Sequence, residues 1–373
     1  MGGLRVKCVS HWYPHADNPH SGTFVEAMAQ AVAPWAEVDV VRFGRWHDGG
    51  RRTVERRGGL NVTHVSIPAS TSVERRIWRR ATALYRELFE RPVDLVHAHV
   101  YESVQAAALA SAMADVPMVA TEHASRIVRR ELGRRDRWWT RLAMNSAKCV
   151  MPVGSGLQRA LQELGVQAPM EIVPNVVSPE FQVALETRRR PDGVFRLLSV
   201  GKLHEGKGID IALEALSTVK DMFGDWIYYV IGAEGPAADA LRRQVVRLDL
   251  NNRVKFLGVR SKAEIASYLQ QSDVFLLPSR LETFSVVTAE ALCMGVPVVA
   301  TRCGGPEDFV SADAGVFAAP GDVEALANAI MTLYREQARF DRDAIARRYR
   351  RCFAPEAVGQ QLYEVYRRAL TPV

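Results

Sequence analysis

Two stretches of this 373-residue chain carry side chains at spacings that suit chemistry on an anion. The first, Gly201-Lys202-Leu203-His204-Glu205-Gly206-Lys207-Gly208, follows an apolar run and precedes a helical pattern. Two lysines five residues apart on a glycine-rich turn can converge on a pyrophosphate, because glycine lets the backbone fold tightly beneath them. The stretch is not a Walker loop: its glycine spacing differs, and Gly208 stands where Ser or Thr is needed. The plainer reading is an ordinary loop. The second stretch, residues 279–292, sets Glu282 in a turn and Glu290 eight residues on, inside a helical pattern. N–H groups that open a helix favour an anion. Glu282 then suits sugar hydroxyls, and Glu290 the hydroxyls of a ribose. The plainer reading makes them a first-turn acid and a glutamate on a solvated face.

The elements that must position these residues alternate along the chain. Strand-like runs are expected at 6–10, 38–41, 95–97, 118–121, 149–153 and 171–173, and again at 195–200, 226–231, 254–256, 274–277 and 297–300. Helical patterns lie between them at 23–33, 73–90, 104–114, 209–219, 237–248 and 288–294, and a last one covers 355–370. Strand, helix, strand repeated in this way predicts an α/β chain of doubly wound parallel sheets, whose ligands sit at the carboxyl ends of the strands. Residues 175–192, with Pro174, Pro179 and Pro191 around Arg188–Arg190, are expected to link two such domains.

Taken together, Gly-Lys-x4-Lys-Gly, Glu-x7-Glu and the trailing run from Ala291 to Thr301 resemble the group 1 family (family 4) of retaining glycosyltransferases. The similarity runs nearly end to end. Residues 10–23 are similar to the family's first glycine-containing loop, Thr121-Glu122-His123 to its histidine motif, and 172–177 to its hinge. Residues 231–236 are similar to its nucleotide-side glycine turn. The resemblance implies the GT-B fold: two Rossmann-like domains facing a central cleft, with a C-terminal helix that crosses back. Residues 1–177 with about 355–373 would bind the acceptor, and 178–354 the nucleotide-sugar donor.

The resemblance also assigns roles. Lys202 and Lys207 would hold the donor diphosphate and stabilise the leaving group, with Gly201 and Gly232 in the supporting turns. Glu282 would hold sugar hydroxyls and Glu290 the ribose. Backbone groups of Thr283, Phe284 and Ser285 would meet phosphate or sugar. His123 would sit beside the anomeric carbon, and Gly22 would let the first loop approach. Trp12, Tyr13 and His99 are placed on the acceptor side. The family often has Arg where this chain has Lys202, and many members pair glycines where this loop has Gly22 alone. The donor is expected to be a UDP- or GDP-sugar, with no other cofactor and no metal: His11, His15 and His20 lack an acidic or Cys partner at ligand spacing. His204, between the lysines, is a further candidate for phosphate.

Residues 1–177 carry the whole excess of the +6 net charge. The basic helix 73–90, with Arg75, Arg76, Arg79, Arg80 and Arg86 opposite an apolar face, and the block 126–141, with Trp138-Trp139, fit an anionic partner. That partner is an anionic membrane surface or an acidic acceptor; the plainer alternative is a domain helix with solvated arginines. Nucleic acid is not expected, for want of a binding module. Five scattered cysteines without a CxxC pair suit a reducing cytoplasm. No apolar run reaches membrane-spanning length. The rival reading is a nucleotide-sugar 2-epimerase on a similar scaffold, which would release an isomerised donor without an acceptor.

Overall fold

The computed structural model describes residues 3–19, 21–45, 52–183 and 192–371. His20 and the arginines of the linker, Arg188–Arg190, lie outside the described residues. The chain divides into two compact units, Met1–Val176 with Pro355–Val373, and Val177–Ala354.

In the first unit the strands are β1 (Leu4–Ser10), β2 (Ala36–Arg45), β3 (Arg52–Arg57), β4 (Leu60–Ile67), β5 (Leu95–His99), β6 (Met118–Glu122) and β7 (Cys149–Pro152). They form one sheet in the order β3-β4-β2-β1-β5-β6-β7. All pairings are parallel except that of β3 with β4. The helices are α1 (Thr23–Val32), α2 (Val73–Glu90), α3 (Tyr101–Ala114), α4 (Ser125–Val128), α5 (Arg134–Asn145) and α6 (Ser155–Leu164).

The second unit has β8 (Phe195–Val200), β9 (Trp226–Ile231), β10 (Val254–Gly258), β11 (Val274–Leu277), β12 (Val298–Thr301) and β13 (Gly315–Ala318). Its sheet runs β10-β9-β8-β11-β12-β13, parallel throughout. Its helices are α7 (Ile209–Val219), α8 (Ala238–Arg247), α9 (Lys262–Gln271), α10 (Val286–Cys293), α11 (Val323–Arg335) and α12 (Arg342–Phe353); α13 (Pro355–Leu370) returns to the first unit.

Buried central strands such as β11 (VFLL) and β12 (VVAT) read as continuous apolar runs because helices cover both their faces. Each sheet reverses its winding once, between β1 and β5 in the first unit and between β8 and β11 in the second. These reversals are the points where a doubly wound sheet leaves a crevice at its carboxyl edge.

Two expectations are corrected. Residues 171–173 are not a strand, although Glu171 and Val173 donate to the carbonyls of Val150 and Pro152 at 3.1 and 3.2 Å. Pro152 has no N–H to return a bond, so the pairing stops at a single bridge between Val150 and Met170. The β3–β4 hairpin was not anticipated: β3 (RTVERR) is mostly exposed and shows no apolar alternation. Its turn, Gly58-Gly59, has positive φ at both residues and was the available signal.

Helix α13 buries Val358, Gly359, Leu362, Val365 and Tyr366, one face at helical spacing. Pro355 opens it, its fixed φ suiting a first helical turn. A Cβ on Gly359 would overlap the Ala31 carbonyl and the Trp35 ring, so the helix lies hard against α1. Gly359→Ala is expected to destabilise the protein by about 1–3 kcal/mol in urea unfolding. Gly133→Ala, where an added Cβ meets nothing within 4 Å, serves as the neutral control. Equal midpoints for the two variants would show that this packing is loose.

Candidate active site

In the second unit both chemistry-bearing stretches leave adjacent strands at the winding reversal. The lysine loop follows β8 and the glutamate loop follows β11. Gly208, with φ +64°, ends the first loop and lets it press on the second: a Cβ there would overlap the Pro278 carbonyl. Arg280 stitches the loops from the other side. Its N–H donates to the Gly206 carbonyl at 2.9 Å, and its guanidinium pairs with Asp210 at 2.7 Å.

This contact brings Lys207 Nζ to 2.7 Å from Glu282 Oε1, which also accepts from Ser279 Oγ at 2.7 Å. The half-buried pair is thus held by a third group, which fixes where the carboxylate points. Lys202 is exposed, and among the described residues no acceptor holds its ammonium. Gly201 and Gly232 lie where β8 and β9 end, and a Cβ on Gly232 would overlap the Gly201 carbonyl. His204 turns inward: its Nδ1 accepts the Gly206 N–H at 3.0 Å, so that nitrogen serves the turn rather than a phosphate.

The start of α10 departs from ordinary helix geometry. Ser285, a non-glycine residue, sits at φ 72° and ψ 78°, a conformation that costs on the order of 1–3 kcal/mol. It turns the chain from the glutamate loop into α10, whose first N–H groups have no acceptor within the helix. Phe284 is anchored in the core against Phe309 and Phe353, ring centroids 5.0 and 5.6 Å away, leaving its backbone as the group on offer. Glu290, one turn into α10, is buried, and no protein donor among the described residues reaches its carboxylate. Burial pushes its pKa up to about 8, opposed by Lys262 and assisted by Glu180.

Sequence reasoning missed the loop after β12. Gly305 lies against the backbone of Phe284, and Glu282 N–H donates to the Cys303 carbonyl at 2.9 Å. The glycine pair 304–305 was the signal.

In the first unit, Gly22 (φ +64°) caps α1 and touches the backbone of Trp12, folding residues 10–22 back on themselves. Trp12 is 37% exposed at the surface of that loop. Tyr13, expected on the acceptor side, is instead fully buried, its hydroxyl without a partner. His99, expected there too, is also fully buried, with Nδ1 3.3 Å from His123 Nε2. It supports His123 and does not reach solvent. His123 stacks near Phe24 (4.3 Å between centroids) at the end of β6. Burial holds the His123 imidazole well below its ordinary pKa, and His99 adds to this. Both rings are therefore neutral near pH 7.

Glu122, beside His123, accepts the N–H groups of His123 and Ala124 at 2.8 and 2.7 Å. Burial nevertheless raises its pKa to about 7. Among the described residues no group of three or more His, Cys, Asp or Glu gathers as a metal ion would need.

A family model described as Glycosyltransferase Family 4 matches residues 21–181, and one described as Glycosyl transferases group 1 matches residues 184–351. The chain belongs to this family. It is similar to the amylovoran biosynthesis glycosyltransferase AmsK of Erwinia amylovora, 31% identical over 51% of this chain and 48% of that protein. It is also similar to the glycogen synthase of Mycobacterium tuberculosis, 29% identical over 69% of this chain and 64% of that one. The chain thus spans between about half and two thirds of the length of these relatives. Among solved structures, Anabaena Alr3699/HepE in complex with UDP superposes with a TM-score of 0.76 at 20% identity, over 97% of this chain and 98% of that one. At that identity the match shows the fold, which is GT-B: two Rossmann-like domains in one chain.

The raised pKa of Glu290 has a stability consequence. Its folded pKa lies above the ordinary carboxylate value, so its contribution is present in full below about pH 4.5 and is lost as pH rises through 8. Glu290→Gln, which cannot ionise, is expected to unfold like the parent at pH 5. At pH 9 it should be more stable, by on the order of 2–4 kcal/mol. Thermal unfolding at the two values checks this, and an unchanged difference between them would place Glu290 in solvent.

Proposed function

We propose that the protein is a retaining glycosyltransferase that moves a hexose or amino-sugar from a UDP- or GDP-sugar to an acceptor hydroxyl without a divalent ion. The observation that carries this reading is the Lys207–Glu282 pair set beside the opening of α10 at the winding reversal of the second unit. AmsK, a biosynthetic glycosyltransferase by name, and the UDP held by Alr3699/HepE support it.

In this reading the second unit holds the donor. The α10 N-terminus, Lys202 and Lys207 face the diphosphate, Glu282 takes sugar hydroxyls, and Glu290 accepts from the ribose. The bond from the anomeric carbon to the phosphate oxygen breaks, and negative charge gathers on the diphosphate, where two ammonium groups and the helix dipole offset it. The acceptor oxygen bonds to the same face of the sugar, and its proton passes to the departing phosphate. The first unit takes the acceptor, with His123 as a neutral hydrogen-bonding group beside the anomeric carbon. Acceptors of this reading are a glycolipid, a polysaccharide intermediate or a small natural product.

Thermal unfolding with UDP, GDP, ADP and TDP, each with EDTA, is expected to show a raised midpoint with UDP or GDP. Lys207→Ala should lower transfer by at least about 100–1,000-fold while leaving the fold intact. Near-normal turnover in that variant would remove the assignment.

We also propose that the protein works at the inner face of an anionic membrane. Among the described residues no helix is long and apolar enough to cross one. Trp78, Trp138 and Leu142 stand half exposed or more on α2 and α5, beside Arg75 and Arg135. Such a combination suits the headgroup region. Flotation with vesicles containing phosphatidylglycerol should carry the protein, and Trp78→Ser with Trp138→Ser should release it. Flotation indifferent to anionic lipid would count against the docking.

A further inference from the structure

The first unit contains a cavity of about 1080 Å³ at the carboxyl ends of β1, β2 and β4. Sheet register sets Ser10, Arg42 and His64 abreast on three neighbouring strands, so their side chains share one face. Helix α2 turns Arg76 and Arg80 toward this space, α3 adds Glu102, and the loop after β1 adds His11, Trp12 and Asp17. The plainer alternative, in which the arginines of this helix are solvated, does not hold for Arg76 and Arg80.

The charges can be accounted for one by one. Arg80 reaches Glu102 at 3.4 Å and lies 5.7 Å over the Phe43 ring. Arg76 donates to Asp136 at 2.6 Å. His11 Nε2 is 3.4 Å from Glu102, and burial lowers its pKa to about 4, so it is neutral. Glu55 meets His64 Nε2 at 3.0 Å. His64 Nδ1 lies 3.4 Å from Arg42 Nη1.

Arg42 is left over. Among the described residues no carboxylate lies within ion-pair distance of it, and its Nε is buried with no acceptor. Burial pulls its pKa down, while Asp17 and Glu55 oppose that from longer range. A guanidinium drawn out of water without a counter-ion carries a desolvation cost that an arriving anion offsets. Trp12 adds a partly exposed aromatic face on the same cavity, a surface that suits the C–H face of a sugar ring.

We infer that this cavity is the acceptor subsite, and that it takes a sugar or polyol bearing a phosphate or a carboxylate, held by the fork of Arg42. The word acceptor rests on the transferase reading; the anion site does not. The guanidinium geometry favours a bidentate oxyanion over a bare hydroxyl.

The test is thermal unfolding without nucleotide in the presence of glucose 6-phosphate, glucuronate, inorganic phosphate or glucose. One of the two charged sugars should raise the midpoint, and which one does so names the anion. Glucose and inorganic phosphate alone should do markedly less, since each supplies half of the recognition. Arg42→Gln should weaken the charged sugar by about 10–100-fold, and Arg42→Lys should recover only part of the loss. Both variants should bind UDP as the parent does, which shows that they fold. The inference is overturned if neither charged sugar shifts the midpoint, if glucose shifts it equally, or if the shift survives Arg42→Gln. Failure of the parent to bind either UDP or GDP, with the sugar-anion shift intact, would sink the transferase reading and leave the anion site standing.

Discussion

A parallel sheet that reverses its winding has one place where neighbouring strands send their connections to opposite faces. No connection covers the carboxyl edge there, and the loops that leave it face each other across a gap. In the second unit that place is between β8 and β11. Everything assigned to the donor depends on it, because residues 75 apart in sequence meet there as Lys207 and Glu282. The contact needs the loops to approach at backbone distance, which Gly208 against the Pro278 carbonyl makes feasible. Arg280, bonded to both the Gly206 carbonyl and Asp210, holds the approach from the far side.

The chain keeps several groups in states that cost stability. Ser285 is held in a left-handed conformation at a helix start. Glu290 is buried where its charged form is disfavoured, and in the first unit Arg42 is drawn partly out of water with no counter-ion among the described residues. A core optimised for folding alone would not gather such features. They fall at the carboxyl ends of strands, where the fold leaves room for a ligand to offset them. The His97–Tyr366 bond of 2.6 Å shows the contrast. It is buried, with Thr121 Oγ1 satisfying the other ring nitrogen at 2.7 Å, and it pins α13 to the sheet.

The alternation of runs and helical patterns was legible, as were the lysine and glutamate motifs and the final helix. The motifs are local: each is one loop with its helix start, so type and spacing sit together in the chain. Other elements escaped: the exposed β3, which shows no apolar alternation, and helices α5, α6, α9, α11 and α12. Residue roles that depend on the direction of a side chain were harder. Tyr13 and His99 sit in segments rightly placed at strand ends, yet both point into the core. For the arginines of α2 the sequence left an anionic partner and a solvated face both open, and the structure turns Arg76 and Arg80 toward a cavity.

By itself the sequence determined the family, the α/β class and the order of its main elements. These follow from periodicity and short-range spacing, which a chain states locally. Only the tertiary structure decided which charges are satisfied. Lys207 is paired, Arg80 is paired, and among the described residues Arg42 has no ion-pair partner, and no spacing within one element could tell them apart. An ion pair between distant residues is a matter of distances of 3–4 Å, and those are set by sheet register and loop packing rather than by order along the chain.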